Sequence, residues 1–209
     1  MKASRGFVLM AALLLLGLVS MAVLLSSLSS TEAATQQALR TQLALKEAKE
    51  AVLGYILLDG PTGETLKPGS IPCPDRDNDN DSGQYDYAFG NCIGSVYIYR
   101  FPGKDFRTGE LRDSANEKLW YAISPEFRAG STKALNSLTP TNLTIDGQGE
   151  YVAVVLAPGA PLAGQTRTDS ATRENYLESS NASGTFQFVT TKALEEGETA
   201  EQAKTKFND

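Results

Sequence analysis

Five carboxylates stand close together in this chain: Asp75, Asp77, Asp79 and Asp81 alternate with Arg76, Asn78 and Asn80, and Asp86 follows. Alternation lets a curled loop turn the acids to one side, and hard oxygen donors at that spacing suit Ca2+. Laid on a twelve-residue EF-hand-like loop, Asp75, Asp77, Asp79 and Asp81 take positions one, three, five and seven, and Asp86 takes position twelve. Asn80 stands at the sixth position, where glycine is usual; asparagine tolerates the left-handed backbone of a sharp turn. Asp86 is shorter than the usual bidentate Glu, which weakens that end of the site. The flanks do not read as paired helices, so a lone loop is expected. The alternative is a solvated acidic turn. Neighbouring carboxylates repel by on the order of 1 kcal/mol per close pair even in water, and a cation relieves this.

Composition removes most other chemistry. The 209 residues include no His, so catalytic triads and zinc or haem sites built on imidazole are excluded. Two cysteines are too few for a four-thiolate metal site. Asp75 and Asp86 could form a glycosidase-like pair, but they sit in a self-repelling cluster with no aromatic sugar platform nearby. No catalysis by the chain itself is expected. A net charge of −6 argues against nucleic acid, whose phosphates require a basic surface.

The elements that must position the acids begin with an apolar segment. From residue 7 to residue 25 only Gly17 and Ser20 interrupt it, and no charge appears until Glu32. At ~1.5 Å per residue a helix of that length nearly covers a ~30 Å hydrocarbon core. Lys2 and Arg5 precede it, so the positive-inside rule puts the amino terminus in the cytoplasm. A secretory signal peptide, cut somewhere in residues 26–34, and a plain signal anchor are two readings.

A third reading rests on particular residues. Lys2-Ala3-Ser4-Arg5-Gly6 followed by Phe7-Val8-Leu9-Met10 resembles the prepilin leader of type IV pilins and type II secretion pseudopilins. The resemblance implies cleavage between Gly6 and Phe7 by a prepilin peptidase, methylation of Phe7, and retention of the apolar stretch. That stretch serves first as an inner-membrane anchor and later as filament core. Family members usually carry Glu as the fifth mature residue, where this chain has Ala11. The pseudopilin at the filament tip lacks that Glu, so the resemblance points to a minor or tip subunit.

Residues 31–58 keep a helical composition without Pro. Leu45, Ala48, Val52 and Ile56 make an apolar stripe one face wide, and Gly60-Pro61 is expected to end the helix. Cys73 and Cys92 are the only cysteines. In the export topology they face an oxidising compartment and read as one disulfide, worth roughly 3 kcal/mol in the chain-entropy model. A reactive thiol is the weaker alternative, since neither His nor a CxxC pattern is present to activate it. Strand-like runs lie at residues 95–101, 118–123, 151–156 and 185–190, and residues 112–123 also read as a helix carrying Trp120. Residues 163–184 and 195–209 are polar and read as mobile loops and a loose tail.

The segments Ile71-Pro72-Cys73-Pro74-Asp75, Leu119-Trp120-Tyr121-Ala122, Ala157-Pro158-Gly159-Ala160-Pro161-Leu162 and Asn175-Tyr176-Leu177-Glu178 are similar to a set of prepilin-like proteobacterial proteins. Calcium sites near the head surface recur among pseudopilins, which the resemblance adds to the acidic loop. The formal acceptor sequons at Asn142 and Asn181 read as chance.

The expected architecture is α+β: a leader (1–6), an N-terminal helix (7–58) with a transmembrane segment (7–29), and a soluble periplasmic or extracellular head (59–209). In the head an antiparallel sheet packs on the helix. The expected function is structural, a minor pilin or pseudopilin of a type IV pilus or type II secretion system. Its partners are other pilin subunits through the N-terminal helix, the inner membrane and the prepilin peptidase. A single-span anchor carrying a periplasmic binding module is the alternative.

Overall fold

Leu and Ala dominate the first part of the chain, and in the computed structural model it forms α1 (Arg5–Gly54), followed by a π-helical turn (Tyr55–Asp59). The structure describes residues 5–59, 69–81, 87–88, 91–92, 98–128, 135–162, 165–168 and 172–190. Within α1 it describes the side chains of residue 10, residues 13–21 and residues 32–54. Among the described residues no helix is long and apolar enough to cross a membrane. The expected transmembrane segment 7–29 falls largely on side chains outside that description, as do residues 1–4 of the leader and Gly60-Pro61.

The chain divides into two compact units, Met1–Arg40 and Thr41–Asp209. In the first, Met10, Met21 and the leucines from Leu13 to Leu18 are exposed. In the second, Ala48 and Val52 of the expected stripe are buried, joined by Ala44, and Leu45 and Ile56 pack at its edge. The outer face is less polar than the stripe suggested. Leu43 and Leu53 fall on the side opposite Ala44, Ala48 and Val52 and stay exposed, next to the exposed Lys46–Glu50 pair at 3.7 Å. With Lys ahead of Glu that pair contributes only a few tenths of a kcal/mol.

Among the described residues the second unit also holds eight short strands: β1 (Tyr87–Ala88), β2 (Asn91–Cys92), β3 (Ile98–Arg100), β4 (Trp120–Ile123), β5 (Leu143–Ile145), β6 (Gln148–Tyr151), β7 (Ala153–Leu156) and β8 (Gln187–Phe188). They make three sheets, ordered β1-β2, β3-β4-β7 and β6-β5-β8, where one antiparallel sheet was expected. The β5–β8 pairing is parallel, a second correction to that expectation.

Of residues 118–123, Trp120–Ile123 settle as strand, and β4 shows why the run was ambiguous. Leu119, Tyr121 and Ile123 enter the core that holds Ala44, Ala48 and Val52. Trp120 and Ala122 enter a second core with Ile98, Leu143, Val154, Tyr176, Leu177, Ala182 and Phe188. A strand buried on both faces loses its polar alternation and reads as a continuous apolar run. The same second core draws in Tyr176, Leu177 and Ala182, so part of the stretch expected to be mobile is packed. It includes a 3-10 turn (Arg173–Asn175) and a short helix α2 (Ser179–Ala182).

Strands β5 and β6 were not foreseen. Asp146-Gly147 joins them with φ of 53° and 69°, the positive values that a two-residue hairpin of this hand demands. An Asp-Gly pair between apolar-containing runs is the signal that could have found it.

Candidate metal centre

The acidic loop is anchored before it begins. Ile71 forms an isolated parallel bridge with Arg128, and its N–H donates to the Phe127 carbonyl at 2.9 Å. Cys73 is buried and bonded to Cys92, the disulfide expected from the sequence, with Cα atoms 5.6 Å apart. Asp75 then makes an antiparallel bridge to the outer edge of β3. Its N–H donates to the Arg100 carbonyl and its own carbonyl accepts from the Arg100 N–H, both at 2.9 Å. Those bonds fix the first acid to a core strand.

From Asp75 the backbone curls. Asn78 and Asn80 adopt φ of 71° and 72°, so the asparagine at the sixth loop position takes the conformation usually left to glycine. The Asn78 N–H donates to Asp75 Oδ1 at 2.7 Å and the Asn80 N–H to Oδ2 at 2.8 Å. Each carboxylate oxygen has two lone pairs, so both retain acceptor capacity after these bonds. The curl brings one oxygen each of Asp75, Asp77 and Asp79 within 4.8 Å of one another. Asp75 is fully buried and the other two are exposed. Three converging carboxylates form a hard oxygen set that can hold a metal ion.

Asp81 stands apart from this group. The Asp81 carboxylate accepts from Lys104 Nζ at 3.1 Å, while its backbone N–H donates to Asp79 Oδ1 at 3.0 Å. Asp86 lies outside the described residues.

A second segment holds the loop from below. The Lys104 N–H donates to the Asn80 carbonyl at 2.9 Å, and the Gly103 N–H donates to Asn80 Oδ1 at 3.1 Å. A side chain at Gly103 would overlap the Gly109 carbonyl oxygen and crowd Asn80 Oδ1. Lys118 Nζ reaches the Asn78 carbonyl at 3.4 Å and Glu110 Oε2 at 2.6 Å. Sequence reasoning missed Gly103, Lys104 and Lys118, since nothing local in Pro102-Gly103-Lys104 marks a partner more than twenty residues away.

The electrostatics follow from this geometry. The Asp75 carboxyl is raised to about 6: burial lifts it most, the Asn80 and Asn78 N–H groups pull against that, and the charges of Asp79 and Asp77 add to the rise. Asp79 is raised as well, by desolvation first, then by Asp77 and Asp81, against the Asp81 N–H and Lys104. A divalent cation at this place would favour the charged forms of both groups and offset their burial and mutual repulsion.

Behind Asp75 the four motif segments meet. The Arg100 guanidinium lies 4.4 Å from the Trp120 ring centroid and 3.9 Å from that of Tyr176. Arg167 approaches the Tyr176 ring at 5.3 Å, pairs with Glu117 at 3.4 Å and donates to the Pro158 and Gly159 carbonyls. Asp113 closes the joint by accepting from the N–H groups of Ala115, Glu117 and Gly159. The motifs therefore build a buried joint that carries the acidic loop on its rim. Comparison of the chain with protein-family models, with curated proteins and with solved structures gives no match.

Proposed function

We propose that the chain is a structural subunit, a minor pilin or pseudopilin, whose head is shaped by the Cys73–Cys92 disulfide and by Ca2+. The observation that carries the reading is the order of residues at the amino terminus. A short basic leader ends in Gly6, an apolar run starts at Phe7, and the same helix continues to Gly54, where Ala44, Ala48 and Val52 are buried in the head. Such a rod serves two environments. Residues 7–29 suit the inner membrane and then the interior of a short filament, and the later turns support a periplasmic head. The exposed Leu43 and Leu53 add an apolar strip for helices of other subunits.

In this reading Gly6–Phe7 is the processing site of a prepilin peptidase, and Ala11 favours a minor or tip position over a bulk fibre subunit. Asp75, Asp77 and Asp79 would hold the ion, which supplies charge neutralisation and a cross-link within the loop and takes no part in a reaction. Ca2+ suits the set because it accepts flexible all-oxygen coordination completed by water or carbonyls.

Intact mass of the chain extracted from membranes tests the proposal. Loss of residues 1–6 together with gain of one methyl is the expected result. A chain that still begins at Met1, or one that begins beyond Ser26, overturns it; the first outcome favours the anchored binding module.

A further inference from the structure

We draw no further inference here: the strongest candidate, the outer edge of strand β6 (Gln148–Tyr151), whose residues are all exposed while the far edge of the same sheet is closed at Val189 by the Asn181 side chain, has nothing in the structure to show what covers it.

Discussion

In the proposed site, lowering the pH and adding Ca2+ should act on the Asp75 carboxyl in opposite directions, and its environment gives the size of both effects. Burial foremost, with Asp79 and Asp77 adding to it, holds the group at about 6 against 3.8 in an unfolded chain, net of the two backbone N–H bonds. Between those values the folded chain keeps a proton that the unfolded chain releases. The metal-free head therefore gains stability from this group as pH falls, and loses it as pH rises through 6. At 1.36 kcal/mol per unit the neutral-pH penalty has an upper limit of about 3 kcal/mol, and roughly half is regained by pH 5.

Glu110 works in the other sense. Burial alone would raise it, but hydrogen bonds from Lys118 and Arg112 hold it below its ordinary value, so its contribution disappears in acid. Comparing the chain with Asp75→Asn removes that background. Trp120 is the only tryptophan and is fully buried, so its fluorescence reports unfolding of the head. Urea unfolding of the detergent-solubilised full chain in chelator should show wild type gaining about 1 kcal/mol over Asp75→Asn between pH 7 and pH 5. Calorimetric titration should show Ca2+ binding weakened about tenfold over the same interval, because the proton and the ion compete for one carboxylate. Parallel pH profiles for the two chains, or a Ca2+ affinity that stays flat to pH 5, would refute the assignment of Asp75.

Four further outcomes can be checked by the same fluorescence assay. Replacing Cys73 and Cys92 by serine opens a loop of sequence separation 19, and should cost roughly 3 kcal/mol of stability. Gly103→Ala should cost at least about 2 kcal/mol, and should weaken Ca2+ binding as well, because relief of its overlap with Gly109 displaces Asn80. Asp113→Ala leaves three backbone N–H groups without their acceptor and is expected to destabilise by roughly 3 kcal/mol, with the Ca2+ affinity of the folded chain unchanged. Tyr121→Phe should raise stability by about 1 kcal/mol, since the buried hydroxyl meets no hydrogen-bond partner among the described residues; a loss would show that the hydroxyl is satisfied.

What could be read from the chain and what could not divides along a physical line. Local signals held. The stripe through Ala48 and Val52 marks the buried face of α1, the lone cysteine pair is bonded, and Asn80 takes the left-handed turn assigned to it. Signals that depend on partners distant in sequence did not show. The run around Trp120 was ambiguous because burial on both faces of β4 erases the period of two. The parallel β5–β8 pairing joins residues more than forty apart, and no local pattern encodes it. Tyr176 and Leu177 sit in a polar stretch that looks like loop, yet the Trp120 and Arg100 surfaces require them.

The acidic loop sits on the same line, and Asp81 shows how. Spacing alone gave it equal standing with Asp75, Asp77 and Asp79, whereas its carboxylate is turned to Lys104, a residue that only the fold brings near. That turn is compatible with an ion at the loop, because the seventh position of an EF-hand-like loop donates its main-chain carbonyl and leaves the side chain free. Lys104 then has a defined electrostatic part. In the proposed site it offsets the acid that the ion would not need and leaves the three converging carboxylates to the cation. On this reasoning Lys104→Met should change Ca2+ affinity little at 0.15 M salt, where an exposed pair is worth at most about 1 kcal/mol, whereas Asp77→Asn and Asp79→Asn should each weaken it severely. Equal losses from Asp81→Asn and Asp79→Asn would place the Asp81 carboxylate among the ligands and overturn the division of labour.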